Sequence, residues 1–301
     1  MAVRRPGARS LCIDYCMIMM KKIFFTISVL VCLAACEAEA KEPAKAEMTI
    51  VCYNIRSDID GKFSDGNNSW CYRMDASYAM VKDIRPDVMG LQEARPHQLY
   101  DMEANLPKYR RIGVGRDDGR AKGEHAAIMF NKQTIKLLDW GTYWLSETPD
   151  IPSKGWDASY PRTATWAKMK HIPSGEEFFF VNTHLDHRGK MARKNGLALV
   201  RERIASMNPD NLPLILMGDF NMLPDDPCLL DLDTQMSSAR NVAVDSDTKT
   251  SYNGWGSGSR ILDYIYYTGF SECPVFKVID KTYEKVPYIS DHYPVYTILR
   301  F

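Results

Sequence analysis

The sequence predicts an α/β domain, and three observations predict it. From Met48 to Phe301, apolar runs of strand length alternate with stretches of helical period. Asn, Asp, Glu and His recur where those runs end. No internal repeat, heptad array or membrane-length apolar span breaks the pattern.

Taken in order, the chain opens on a segment that reads as a lipoprotein export signal, with an ordinary cleaved signal or a frayed N-terminal helix the alternatives. Lys21 and Lys22 precede Ile23 to Ala35, an apolar run interrupted only by Thr26 and Ser28. Its 13 residues are too few to cross a bilayer as a helix at about 1.5 Å per residue. They match the hydrophobic region of a signal peptide. The ending Leu33-Ala34-Ala35-Cys36 resembles the bacterial lipobox, in which the cysteine is lipidated and becomes the mature N-terminus. Translation is then expected to start at Met19 or Met20, with residues 1–19 a gene-start artefact. Residues 20–36 are the signal, 37–47 a charged, Ala-rich tether, and 48–301 the domain. This predicts an exported monomer held by lipid at the periplasmic face of a membrane or the cell surface.

Residues 48–56 form a strand with β-branched positions. Residues 77–94 begin as an amphipathic helix with Tyr78, Val81 and Ile84 inward, break at Pro86, and continue as the strand DVMGLQE. Residues 125–131 and 134–145 are strands, and 163–186 a hairpin turning at Pro173–Gly175. Residues 190–207 form a helix with Leu197, Val200 and Ile204 on one face, ended by Pro209 and Asn211. Strands follow at 212–217, 260–269 and 293–301. The loops 58–70 and 147–162 are long. In the stretch 155–167, Trp156, Arg162 and Trp166 are expected either to wall a cleft or to cover a sheet edge.

Composition and cysteines narrow the function. The chain is 45% hydrophobic and 25% charged, within the ordinary globular range. Residues 1–36 hold five Lys/Arg and one acid, which leaves 33 basic and 37 acidic residues, a net charge of −4. A mildly acidic domain argues against a tight, nonspecific polyanion binder. Cys52, Cys71, Cys228 and Cys273 form no C-x-x-C pair, so zinc-ribbon and thioredoxin-like readings fail. Export permits disulfides, while an apolar strand equally suits Cys52 as a buried free thiol. There is no Walker A loop, no G-x-S-x-G elbow and no H-E-x-x-H.

The strand ends carry the chemistry. Asn54, Glu93, His184, Asp219 with Asn221, Asp263, and Asp291 with His292 all fall at or beside such ends. Gly218 gives the chain room to turn before Asp219. One such residue means little. Several, all oxygen donors or imidazoles, suit a hard divalent cation with acid–base chemistry. Open α/β sheets gather these groups at one edge.

In this order, the motifs CYNIR, LQEA, NTHLDH, GDFN, LDYI and SDH resemble the endonuclease/exonuclease/phosphatase superfamily, over essentially all of 48–301. The resemblance implies a four-layer α/β sandwich, two packed mixed β-sheets flanked by helices, as in deoxyribonuclease I. It also implies Mg²⁺ or Mn²⁺ held by Glu93, with Asn54 and Asp291 close by. Asp219 would orient or deprotonate the attacking water, and Asn221 would hold phosphate or water. His292, oriented by Asp263, would contact a phosphoryl oxygen or act as acid or base, and His184 would do so from the other side. In the deoxyribonuclease I branch a glutamate partners that first histidine, and Glu124 stands at the matching place. Arg56, Arg162, His187 and Arg188 are candidate substrate contacts, with a surface salt bridge the alternative for Arg56.

The resemblance implies hydrolysis of a phosphoester by in-line water attack on phosphorus. A small or lipid-borne substrate outside the cytoplasm is favoured over nucleic acid, because the domain is acidic and lacks a Lys/Arg-rich helix. An exported nuclease and a noncatalytic surface lipoprotein are the alternatives.

Overall fold

The computed structural model describes residues 19–20, 45–59 and 65–301. In chain order the strands are β1 (Glu47–Asn54), β2 (Val88–Ala94), β3 (Tyr109–Ile112), β4 (His125–Asn131), β5 (Ile135–Trp144), β6 (Thr163–His171) and β7 (Glu177–His184). They continue as β8 (Leu214–Asp219), β9 (Ser237–Ser238), β10 (Asp245–Ser246), β11 (Asp263–Thr268), β12 (Glu272–Val278) and β13 (Val295–Arg300). The helices are α1 (Trp70–Ile84), α2 (Pro96–Asn105), α3 (Lys190–Met207), α4 (Pro227–Asp233) and the single turn α5 (Ala239–Val242). One mixed sheet has the order β10-β12-β13-β1-β2-β4-β3, the other β5-β6-β7-β8-β11-β9.

Period-two alternation sets the layers. In β1, Met48, Ile50 and Cys52 face Phe178, Phe180, Ile215 and Met217 of the other sheet, and this is the central core. Val51 and Tyr53 point the other way, with Met89 and Leu91, against Tyr78, Met80, Leu99 and Met102 of α1 and α2. Phe179, Val181, Leu214 and Leu216 pack outward on Leu197, Val200 and Ile204 of α3 and on Leu229 and Leu232 of α4. Helices, sheet, sheet and helices make the expected four-layer sandwich.

A polar stitch joins the sheets beneath their rim. Asn182 of β7 donates to the carbonyls of Leu91 and Ala127 and accepts from Gln92 Nε2 at 2.7 Å, all buried. This needs a residue without a side chain opposite: a Cβ on Gly90 would lie 2.6 Å from Asn182 Oδ1.

Three local expectations are corrected. The first helix begins at Trp70, not at residue 77. The extra turn carries Arg73, whose buried guanidinium binds the carbonyls of Ile55, Arg56, Asn68 and Ile289. The first strand stops at Asn54, because Arg56 takes φ +61°. The segments 96–105, 109–112, 227–233 and 272–278 are regular elements that the sequence reading left unassigned.

All four domain cysteines are free, with Cys52 and Cys273 buried. No helix among the described residues is long and apolar enough to cross a membrane. Cys36, most of the signal and tether residues 37–44 lie outside the described residues, and Glu47 belongs to β1 rather than to a tether.

Candidate active site

Strand pairing brings the polar residues to one rim. β1 and β2 run parallel with Asn54 opposite Gln92, so Glu93 follows beside it. β7 and β8 run parallel with His184 opposite Asp219. β11 runs antiparallel to β8 and sets Asp263 opposite Asp219. Asp291 and His292 enter from the segment before β13. Close approach of β8 to β7 explains Gly218, since a Cβ there would lie 1.9 Å from the Thr183 carbonyl oxygen. Arg56, Glu93 and Asn221 all adopt positive φ, of +61°, +60° and +51°. Left-handed backbone costs a non-glycine residue roughly 1–2 kcal/mol, so this rim stores strain where its side chains converge.

Asp219 is the hub. Its Oδ2 accepts from Asn54 Nδ2 at 2.9 Å, and Oδ1 accepts from the Asn221 backbone N–H at 2.9 Å. Oδ2 also lies 3.6 Å from His184 Nε2 and 3.7 Å from His292 Nε2. Burial, reinforced by Asp263, raises its carboxyl well above the ordinary range against the pull of His292, Asn54 and Asn221. The imidazoles are driven apart. Burial would lower His292, but the charges of Asp263 and Asp219 and the 2.8 Å bond from its Nδ1 to Asp263 raise it to about 10. His184 goes well below 6.5 through burial and the cations Arg162 and Arg116. One histidine is therefore an imidazolium at neutral pH and the other is neutral. Asn221 donates to His184 Nε2 at 3.0 Å and to the Leu185 carbonyl.

The residues present fit a hard cation. Glu93, Asp219 and Asp291 line one cleft, and all offer oxygen donors. Burial alone would raise Glu93, yet the Ser57 N–H, Arg56 and the Asn54 amide hold it below the usual range, so it stands ionised. Asp291 is raised by burial and by Glu93, a strain between like charges that a cation relieves. A second trio, Asp219, Asp263 and His292, has donor atoms within 4.8 Å of one another. It fits less well, because His292 is protonated and its Nδ1 is committed to Asp263. Asn54 stands beside Glu93, with its amide nitrogen turned toward the carboxylates. Its Nδ2 bridges Glu93 at 3.1 Å and Asp219, while its Oδ1 accepts the Arg56 N–H at 3.0 Å. It spaces the two carboxylates.

Glu93, His184, Asp219, Asn221, Asp291 and His292 line a cleft of about 330 Å³, together with Arg56, Arg116, Glu124, Tyr160, Arg162, His187, Tyr252 and Arg260. Two larger hollows, about 510 Å³ beside β9 and about 610 Å³ between α3 and α4, hold no such set of carboxylates and imidazoles. Arg56 lines the cleft and is also paired with Asp65 at 2.9 Å. Buried Arg162 binds Asp186 and His187. Two residues are placed otherwise than expected. Glu124 does not partner His184; it accepts from Arg116 Nη1 at 2.5 Å. Arg188 is exposed and lies outside the cleft lining. Of the stretch 155–167, whose two readings were a cleft wall and a sheet-edge cover, Tyr160 and Arg162 line the cleft, while Trp166 stacks on Phe179 in the outer core. Arg116, Tyr160, Tyr252 and Arg260 went unread because single arginines and tyrosines in loops carry no spacing signal. A Tyr within the already suspected 155–167 stretch was the nearest clue.

Comparison with known proteins agrees with this fold. The chain resembles a mannosyl-6-phosphatase of Bacteroides thetaiotaomicron, at 35% identity and a TM-score of 0.79, over 84% of this chain and all of that one. It resembles an endonuclease/exonuclease/phosphatase of Bacteroides vulgatus, at 32% identity and a TM-score of 0.80, over 85% of this chain and 100% of that one. An uncharacterized protein of Acanthamoeba polyphaga mimivirus is 28% identical over 54% of this chain, which spans only 62% of that relative. Residues 51–292 match the family described as Endonuclease/Exonuclease/phosphatase, and the chain belongs to that family.

Proposed function

We propose that the chain is a divalent-metal-dependent hydrolase of small phosphoesters, with a sugar phosphate monoester as substrate. The observation that carries this is Asp219, buried, and flanked at 3.6 and 3.7 Å by one neutral and one protonated imidazole. The raised Asp219 carboxyl suits a base that takes a proton from water near neutral pH. Protonated His292, held by Asp263, donates through Nε2 to a phosphoryl oxygen. His184, steadied by Asn221, contacts the phosphate from the other side. Glu93 and Asp291 would hold Mg²⁺ or Mn²⁺, which when bound neutralises phosphoryl charge and orients the ester. The cleft volume sits at the small end of ligand sites, roughly 300–1,000 Å³, and the domain charge of −4 disfavours a polyanion. The likeness to a mannosyl-6-phosphatase supports the sugar ester.

We further propose that lipid on Cys36 holds the enzyme outside the cytoplasm, on the strength of the Lys-Lys, apolar run and LAAC ending. Labelling with a radioactive fatty acid should mark the wild type and spare Cys36→Ser; equal labelling refutes the anchor.

Phosphate release from hexose phosphates, phosphodiesters and phospholipids, beside nicking of supercoiled plasmid, tests the substrate class. Hexose phosphate turnover that EDTA abolishes is expected. Plasmid nicking without sugar phosphate turnover would make the chain a nuclease instead.

A further inference from the structure

Four arginines line the cleft, and three already have carboxylate partners. Arg56 is paired with Asp65, Arg116 with Glu124, and Arg162 with Asp186. Arg260 is exposed and has no carboxylate partner among the described residues. Its guanidinium carbon lies over the Tyr252 ring, 4.4 Å from the centroid. The same ring meets His292 edge-on at 5.0 Å. Stacking a guanidinium on an aromatic face fixes its plane and leaves its N–H edge free to donate.

The backbone that carries this pair is built onto the proposed catalytic dyad. Tyr252 N–H donates to the Arg260 carbonyl at 2.8 Å, closing the loop between them. Ser251 Oγ accepts from the Leu262 and Asp263 N–H groups, and its carbonyl accepts from Tyr293 N–H. Arg260 is thus held against the ring that also meets His292, and it forms no ion pair with Asp219.

Resting on the phosphoester hydrolase reading, we propose that Arg260, backed by Tyr252, is a specificity-determining residue that hydrogen-bonds oxygen acceptors on a polyhydroxylated leaving group. A guanidinium that donates to a sugar loses that contact when the leaving group is a bare ring.

The test is the ratio of kcat/KM for mannose 6-phosphate to that for phenyl phosphate, measured with Mg²⁺ on the full chain. Arg260→Ala should lower this ratio roughly tenfold, chiefly through KM for the sugar, and Arg260→Lys should restore part of it. An unchanged ratio overturns the proposal, whether both activities fall together or neither falls. A wild type that turns over neither ester overturns the hydrolase reading, and this inference with it.

Discussion

Asp219 stands between two histidines whose surroundings push their protonation in opposite directions, and the site's behaviour follows from that. Asp219→Asn keeps size and polarity but removes the base, so turnover should fall about 10³-fold with folding intact. His292→Ala should lose a similar factor. Near-wild-type phosphate release by either variant would sink the assignment. At this scale the sequence was legible wherever residue type itself carries the chemistry. Asn54, Glu93, His184, Asp219, Asp263 and His292 could be named because Asn, Asp, Glu and His at strand ends are few and telling. Partnerships were not legible. Glu124 went to Arg116 rather than His184, and the Asn54 oxygen went to a backbone N–H, because rotamers and the φ of +61° at Arg56 decide them.

Two segments that hold the rim in place do so through buried charge. Arg73 of α1 reaches four carbonyls on the loops after β1 and before β13. Arg73→Met would leave the Ile55 and Asn68 carbonyls without this donor, while Tyr53 and Gln98 still reach those of Ile289 and Arg56, and should cost about 1–3 kcal/mol in urea unfolding. A loss under 1 kcal/mol would contradict the clamp. Asp186, just after β7, accepts from the Ser159, Arg188 and Gly189 N–H groups and from Arg162. Burial would raise its carboxyl, but these donors bring it down to about 2. A depressed folded value means its stabilisation is full above pH 3.8 and fades as the pH falls through 2. Asp186→Asn should therefore destabilise at pH 6 by roughly 1–2 kcal/mol, allowing for solvent screening, with the gap closing toward pH 2. A gap independent of pH would show that the charge is idle. The periodic elements were legible: 125–131 and 190–207 match their predicted bounds residue for residue. The short ones were not. α2 and α4 start on Pro96 and Pro227 at the first helical positions, a helix-start signal easily taken for a loop.

Across the whole molecule, both sheets and every residue of the site fall within residues 45–301, one compact unit. A chain beginning at residue 45 should keep kcat/KM within about twofold and its Tm within about 2 °C of the longer protein. A collapse of either would place part of the folding information upstream. The four-layer sandwich was foreseeable because strands buried on both faces, such as β1, alternate with one-sided helices such as α3. The partition of the thirteen strands among the described residues into sheets of seven and six was not, since long-range pairing leaves no local trace. The central claim is that this rim hydrolyses a phosphoester by water attack on phosphorus, with Asp219 as base. Its most direct test is hydrolysis of mannose 6-phosphate in ¹⁸O-labelled water with Mg²⁺, read by mass spectrometry. Water attack on phosphorus leaves one ¹⁸O in the released phosphate and none in the sugar, with no product in EDTA and about 10³-fold less from Asp219→Asn. Label in the sugar, or undiminished product from Asp219→Asn, would contradict it.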